Sequence, residues 1–456
     1  MAVLLFLFWI ISKTPQHIFY FLWGAEKANN WRSKIILVVG SLSLLFIGIV
    51  FATMILPFNN GDKQFVTTNA SPAGSPEFVQ TLADLTGAPV QKGDAVIPLN
   101  DASQFLPTLL NSINTASFSV NFTTFPWSDG TFSDEVFAAL TAAAARGVQV
   151  RLLLDGLGAH TVSKEKIQTL QSAGGIVAEY HPFKLLNPLQ YDNRDHMRAV
   201  IIDGKIGFTG GIGITDDWLG DSSSTAFQDM MFEFHGTMAQ SIQNTFDENW
   251  NNVTGRVLSG PMFYPAVATS TAQNTFVGIT SIPSEDYQPV RDSFMLTILS
   301  AQKTLWIVNP YIIPDKNLLQ ALEDKAKAGV DVRILSPGKN TDAPVLQAAW
   351  HSDYEPLLES GVKLYEYQPT MIHTKFMVAD GVWSLVGSAN IDNRSELLNN
   401  ENVMGISDPV LADSLDQTFT NYLSQSDEIT LMDWKNQYGF FQKLYSHMLL
   451  VLFKQY

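Results

Sequence analysis

Apolar and polar positions recur along this chain with two periods, and the same succession of periods appears twice. In the first half, Ser117 to Phe122 alternates like a half-buried strand, and Ser133 to Arg146 carries helical spacing with an alanine-rich end. Gly147 closes that helix, and Val148 to Leu154 is apolar enough for a strand buried on both faces. Gly175 to Tyr180 reads as a further strand, before a polar, proline-containing loop leads to His196. In the second half, Thr304 to Val308 reads as a strand and Asn317 to Ala328 as a helix. Gly329 to Leu335 mirrors Gly147 to Leu153, and Gly361 to Tyr367 precedes His373 as Gly175 to Tyr180 precedes His196. This order predicts a tandem duplication, with domains over 94–251 and 291–426 joined by a connector over 252–290. Strands alternating with helices predict an α/β fold of mixed or parallel sheets covered by helices. Halves packed about a pseudo-two-fold axis would bring both histidines to one cleft.

The ends of the chain follow other patterns. Ile35 to Leu56 has no charged residue and is long enough for one transmembrane helix; Pro57 and a polar run end it. Lys13, Lys27, Arg32 and Lys34 all precede it, so the positive-inside rule puts residues 1–34 in the cytoplasm and the catalytic part outside, at the cell membrane. Ala2 to Ile11 is apolar but short; a partial second span and an interfacial piece are both open readings. Residues 57–93, rich in small and turn-forming types, read as a linker. In the C-terminal segment 427–456, Phe441, Leu444, Tyr445, Met448, Leu449 and Leu452 follow helical spacing. An interfacial helix and a helix packed on the catalytic part both fit.

Candidate chemistry lies in two copies of one motif. The first runs from His196 through Arg198 to Asp203-Gly204, and the second from His373 through Lys375 to Asp380-Gly381. Each continues through an apolar strand into a turn, Gly210-Gly211-Ile212-Gly213 or Gly387-Ser388-Ala389-Asn390. Alternation puts each His on the same face as its cation. The Asp falls on the opposite face, and Asp-Gly is a hairpin signal. Asp203 and Asp380 therefore belong to the motifs as turn and framework residues. An imidazole beside a fixed positive charge, twice over, suits a phosphate: the cations hold oxygens, one neutral His attacks, and a protonated His supplies the leaving-group proton.

Composition narrows the options. The chain has 456 residues and no Cys, which excludes disulfides and thiolate metal sites. A formal charge of −16 disfavours a nucleic-acid partner, because phosphate-backbone affinity rests on Lys and Arg. His17, His160, His181, His235, His351 and His447 show no ligand spacing.

The double motif resembles the phospholipase D superfamily, whose pattern is His-x-Lys with a later Asp and then Gly-Ser-x-Asn. The second copy matches in full; the first has Arg198 for Lys and Gly213 for Asn. Ala145-Arg146-Gly147-Val148, Phe246 to Trp250, Asn309-Pro310-Tyr311, Tyr365 to Pro369 and Asn399-Asn400-Glu401 look like bacterial cardiolipin synthases. The resemblance implies two phospholipase D-like domains and phosphatidyl transfer between phosphatidylglycerol molecules through a phosphohistidine, without metal or organic cofactor. Phospholipids and the bilayer would be its partners. It implies His196 as nucleophile, His373 as general acid and then base, and Arg198 and Lys375 on the phosphoryl oxygens. Asn390 and the Ser388 hydroxyl would join those cations. By position in the pattern, Asp229 would serve His196 and Glu401 would serve His373. A membrane-tethered phospholipase or nuclease of the same fold, and a binding-only member motivated by Arg198 and Gly213, remain alternatives.

Overall fold

The computed structural model describes residue 40 and residues 67, 69–182, 193–220, 226–267, 274–282 and 287–453. Apart from Gly40, the predicted span Ile35 to Leu56 and the stretch Ala2 to Ile11 lie outside the described residues. Among the described residues no helix is long and apolar enough to cross a membrane. The described residues from 67 to 453 belong to one compact unit, and the architecture below is that unit's.

The duplication is visible in strand order. Among the described residues the first sheet has seven strands: Ile97–Asn100, Met230–His235, Ile206–Gly210, Ala199–Ile202, Ser119–Thr123, Gln149–Asp155 and Ile176–Tyr180. The second has nine: Gln91–Lys92, Thr275–Ser281, Glu401–Ser407, Trp383–Gly387, Phe376–Ala379, Thr304–Val308, Asp331–Pro337, Lys363–Tyr367 and Ser426–Ile429. From Met230–His235 and from Glu401–Ser407 onward, the order, direction and crossovers correspond strand for strand up to Ile176–Tyr180 and Lys363–Tyr367. Both sheets are mixed, with parallel pairs where a helix makes the crossover and antiparallel pairs where a hairpin does.

Both expected motif hairpins form. Asp203 (φ 53°) and Gly204 (φ 63°) turn the first, and Asp380 (φ 56°) and Gly381 (φ 64°) turn the second. Two successive positive φ values are the primed turn that matches strand twist, which is why Asp-Gly stands there. The outer helices Asp101–Thr115 and Thr131–Ala145 cover one face of the first sheet with Phe105, Leu109, Phe132 and Leu140. Pro289–Ser300 and Lys316–Lys327 cover the second in the same way with Phe294, Ile298, Leu318 and Leu322. Between the sheets lies a shared core that includes Ile201, Phe232, Val378 and Met404, together with Phe246 and Trp250 of helix Gly236–Thr254 and Phe419 and Tyr422 of helix Pro409–Leu423.

The stretches read as linker and connector each hold regular elements among their described residues. Within 57–93, Pro76–Thr86 is a helix whose first turn is capped by the Ser75 hydroxyl and whose end is Gly87 in the left-handed region; Phe78, Val79, Leu82 and Ala83 bury one face. Ser-Pro before an i, i+3, i+4 apolar pattern was its signal. Within 252–290, Thr275–Ser281 is a strand paired to Glu401–Ser407, so the connector completes the second sheet. At the C-terminus, helix Phe440–Phe453 buries Leu449 and Leu450 against Ile313 and Ala349 but leaves Leu444, Tyr445 and Met448 about half exposed.

A two-histidine cleft as candidate active site

The histidines sit just before the central strands Ala199–Ile202 and Phe376–Ala379, in extended segments that bridge to the opposite half. His196 N–H donates to the Asn400 carbonyl (3.1 Å), and Asn400 N–H donates to that of Arg194 (2.8 Å). His373 N–H donates to the Gln228 carbonyl (2.7 Å), and Gln228 N–H to that of Met371 (2.8 Å). Each bridge places the residue after Asn400 or Gln228 beside the other half's imidazole. His196 Nδ1 thus lies 2.7 Å from Glu401 Oε1, and His373 Nδ1 lies 2.8 Å from Asp229 Oδ2. The expected partnership of Asp229 with His196 and Glu401 with His373 is therefore corrected: the acids are exchanged between halves. Glu401 opens its strand and Asp229 immediately precedes its own, each next to an inter-half bridge, so each acid faces across that bridge.

The cations behave alike. Arg198 Nη1 donates to the His196 carbonyl (2.7 Å), and Lys375 Nζ to the His373 carbonyl (2.8 Å). Each charged nitrogen also lies within 3.2 Å of both nitrogens of its own imidazole, an approach to the ring rather than along one lone pair. All four side chains are buried. Arg198 Nε and Nη2 and Asn390 Oδ1 have no hydrogen-bond partner among the described residues. A buried guanidinium with two such donors fits a phosphate, whose oxygens would satisfy them.

Electrostatics keep both imidazoles neutral in the resting cleft. Burial, then the charges of Arg198 and Lys375, hold His196 well below the usual histidine range. Burial and Lys375 lower His373 to about 4, partly offset by Asp229. Burial raises Glu401 to about 7 and lowers Lys375 to about 7. Glu401 is thus a weaker counter-charge than its 2.7 Å contact with His196 suggests.

The remaining predicted residues divide. Asp203 lies at the far end of its hairpin, accepting from the backbone N–H groups of Ser117, Phe118 and Ser119. Asp380 does the same for Gln302, Lys303 and Thr304. Both are framework residues, as their opposite face implied. Ser388, expected on the phosphate, instead donates to Glu401 Oε2. Gly213 stands where Asn390 stands in the other half because a Cβ there would come within 2.7 Å of Pro126 Cδ.

Other residues at the site were not anticipated. Asp195 accepts from Thr123 Oγ1 and Asn249 Nδ2 (both 2.7 Å), and Asn249 Oδ1 accepts from Asn400 Nδ2 (2.6 Å). Asn402 clasps the backbone of Arg198, and Trp218 donates to Asp229. Phe125 packs on the His196 ring, and Trp218 and Tyr311 on that of His373. Polar residues within otherwise apolar elements, such as Asn249 near the end of its helix, were the available signal.

Residues 109–250 and 295–423 match the family model described as cardiolipin synthase, phospholipase D-like domain. Cardiolipin synthase 1 of Bacillus cereus is 30% identical over 363 residues, which cover 77% of this chain and 71% of that protein. Cardiolipin synthase 2 of Bacillus anthracis is 32% identical over 358 residues, covering 77% and 69%. Among solved structures, the phosphatidylserine synthase of Haemophilus influenzae shares the fold, with a TM-score of 0.63 at 15% identity over 81% of this chain and 96% of that one.

Proposed function

Since the chain belongs to the cardiolipin synthase, phospholipase D-like family, we propose that it joins two phosphatidylglycerol molecules by passing a phosphatidyl group through His196. The observation that carries this reading is the pair of buried imidazoles, each oriented through Nδ1 by a carboxylate of the opposite half and each beside a cation. With Nδ1 turned to the acid, Nε2 is left for the reacting group. His196 Nε2 attacks phosphorus while the bond to the glycerol oxygen breaks, and His373 in its protonated form gives that oxygen its Nε2 proton and becomes neutral. A hydroxyl of the second phosphatidylglycerol then loses its proton to His373 and attacks phosphorus, and the nitrogen–phosphorus bond breaks. Glycerol and cardiolipin are the products. Arg198 and Lys375 hold the phosphoryl oxygens throughout. The role assignment is supported by the electrostatics: Asp229 partly restores the basicity of His373, as a proton carrier needs, while burial and the charges of Arg198, Lys375 and Arg394 dominate at His196 and lower it.

The reading includes a membrane enzyme, anchored by residues 35–56 with the catalytic part outside the cytoplasm. The half-exposed Leu444, Tyr445 and Met448 support contact with a bilayer. One preparation tests both parts. The full chain should be recovered with membranes; recovery in the soluble fraction would overturn the anchor. Purified His373→Ala, given a phosphatidyl lipid with an activated leaving group, should retain lipid on the peptide containing His196, and His196→Ala should retain none. Label on His373 would reverse the roles. Phosphatidic acid as sole product of the unmodified enzyme would make it a hydrolase, and cleavage of DNA without lipid turnover a nuclease. Absence of both adduct and product would leave a binding protein.

A further inference from the structure

The acids of the two dyads are held by different donors. In the His196 dyad, Ser388 at the strand-to-turn junction donates its hydroxyl to Glu401 Oε2. The equivalent position beside His373 is Gly211, where a Cβ would come within 2.2 Å of Asp229 Oδ1. No hydroxyl side chain fits there. The donor comes from the short helical turn Asp216–Trp218: Trp218 Nε1 lies 2.9 Å from Asp229 Oδ2, the oxygen that also receives His373 Nδ1 at 2.8 Å. Asp229 Oδ1 accepts the Met230 N–H at 2.7 Å. The Trp218 ring is buried and stands edge-on to the His373 imidazole, centroids 5.2 Å apart at 84°. The turn is fixed from outside, because Asp216 accepts the N–H groups of Thr131 and Phe132 at the start of helix Thr131–Ala145.

We propose that Trp218 is the positioning residue of the proton-transfer half: its indole N–H fixes the Asp229 carboxylate, and through it the tautomer and direction of the His373 ring. An indole nitrogen only donates, so it holds Oδ2 as an acceptor and keeps His373 Nδ1–H turned inward. A serine hydroxyl can rotate and reverse its role; Trp218 cannot. The inference rests on His373 being the acid and base of the proposed reaction.

Trp218→Phe keeps the ring and removes the donor. Turnover of phosphatidylglycerol should fall roughly tenfold or more, the usual effect of removing such a support. With the activated phosphatidyl lipid, whose leaving group needs no proton, the burst of adduct formation should stay within about twofold of the unmodified enzyme. Adduct should then persist, since deprotonation of the acceptor alcohol is slowed. Nitrogen NMR of the His373 ring gives a readout besides activity: the variant should populate both neutral tautomers where the unmodified protein shows one. Equal losses with both lipids, no loss with either, or an unchanged tautomer signal, with label still on His196, would overturn this inference alone. Label on His373 would overturn it together with the role assignment.

Discussion

Both imidazoles of the cleft meet a carboxylate from the opposite half, yet Glu401 serves one and Asp229 the other. The frames around them agree closely: the Asp-Gly turns, the bridges of Asp195 to Asn400 and of Gln228 to Ile372, and the cation folded onto its own histidine's carbonyl. The supports do not agree. Behind His196 lie Asp195, Asn249 and Asn400, hydrogen-bonded in series, and burial pushes Asp195 up to about 7. Behind His373, Ile372 offers no polar side chain, and Gln228 donates its Nε2 to the Tyr422 hydroxyl at 3.1 Å. Duplication has preserved the backbone device that delivers each acid to the opposite half, while the surroundings of each acid have diverged. Two chemically different histidines on a nearly symmetric scaffold are what a two-step transfer needs, because one must leave and return a proton while the other holds phosphorus.

The largest effect that would break this comparison concerns the cations. Arg198 is buried with two donors lacking partners among the described residues, so its loss removes charge where the phosphoryl oxygens are proposed to lie. Arg198→Ala should lower kcat/KM for phosphatidylglycerol by about 100-fold to 1,000-fold. Arg198→Lys, which restores the residue type of the second half, should stay within about tenfold of the unmodified enzyme, because both side chains hold phosphate. Steady-state lipid turnover decides it: an Arg198→Ala enzyme of normal activity would leave the first half without a working cation.

A smaller, graded effect separates the histidines by pH. kcat/KM reports the free enzyme, in which His373 titrates near 4, while burial and the neighbouring cations hold His196 well below the usual histidine range. Protonated His373 therefore becomes scarcer as pH rises above about 5. Transfer from phosphatidylglycerol should fall with rising pH, by up to about tenfold per unit. Lys375 losing its charge near 7 adds to the decline. A lipid with an activated leaving group needs only neutral His196 and should show the Lys375 limb alone. Coincident profiles for the two lipids would remove His373 from leaving-group protonation.

That experiment probes what the sequence could not supply. Strand alternation placed each cation beside its histidine and turned Asp203 and Asp380 away, and repeated periodicity gave the duplicated order of strands. These are local properties, carried within a few residues. The acid contacts span 205 positions for His196 and 144 for His373, and they depend on which half's strand begins at the shared axis. No period records that crossing, so the sequence pattern offers both Asp229 and Glu401 but pairs each with the wrong ring. Trp218 is hidden for a related reason: a tryptophan next to two aspartates on a polar turn reads as packing until Gly211 shows that no side chain at that position can serve Asp229 as Ser388 serves Glu401.

The smallest predicted difference lies where the halves should behave as one. Asp203 and Asp380 each accept three successive backbone N–H groups at the start of the strand that begins the opposite side of the hairpin's pairing, Ser119–Thr123 in one half and Thr304–Val308 in the other. Removing either carboxylate strands those donors and relaxes the positive-φ turn that an Asp favours. Asp203→Ala and Asp380→Ala should therefore destabilise the fold by similar amounts, about 1–3 kcal/mol each, seen as comparable shifts in a thermal or urea melt. Neither residue reaches the imidazoles, so at a temperature where both variants are folded the rate of adduct formation on His196 should match the unmodified enzyme's. The comparison is sharpest in that equality. A selective kinetic loss in one variant, with its melt unchanged, would return that aspartate to the chemistry and end the reading of the two turns as interchangeable framework.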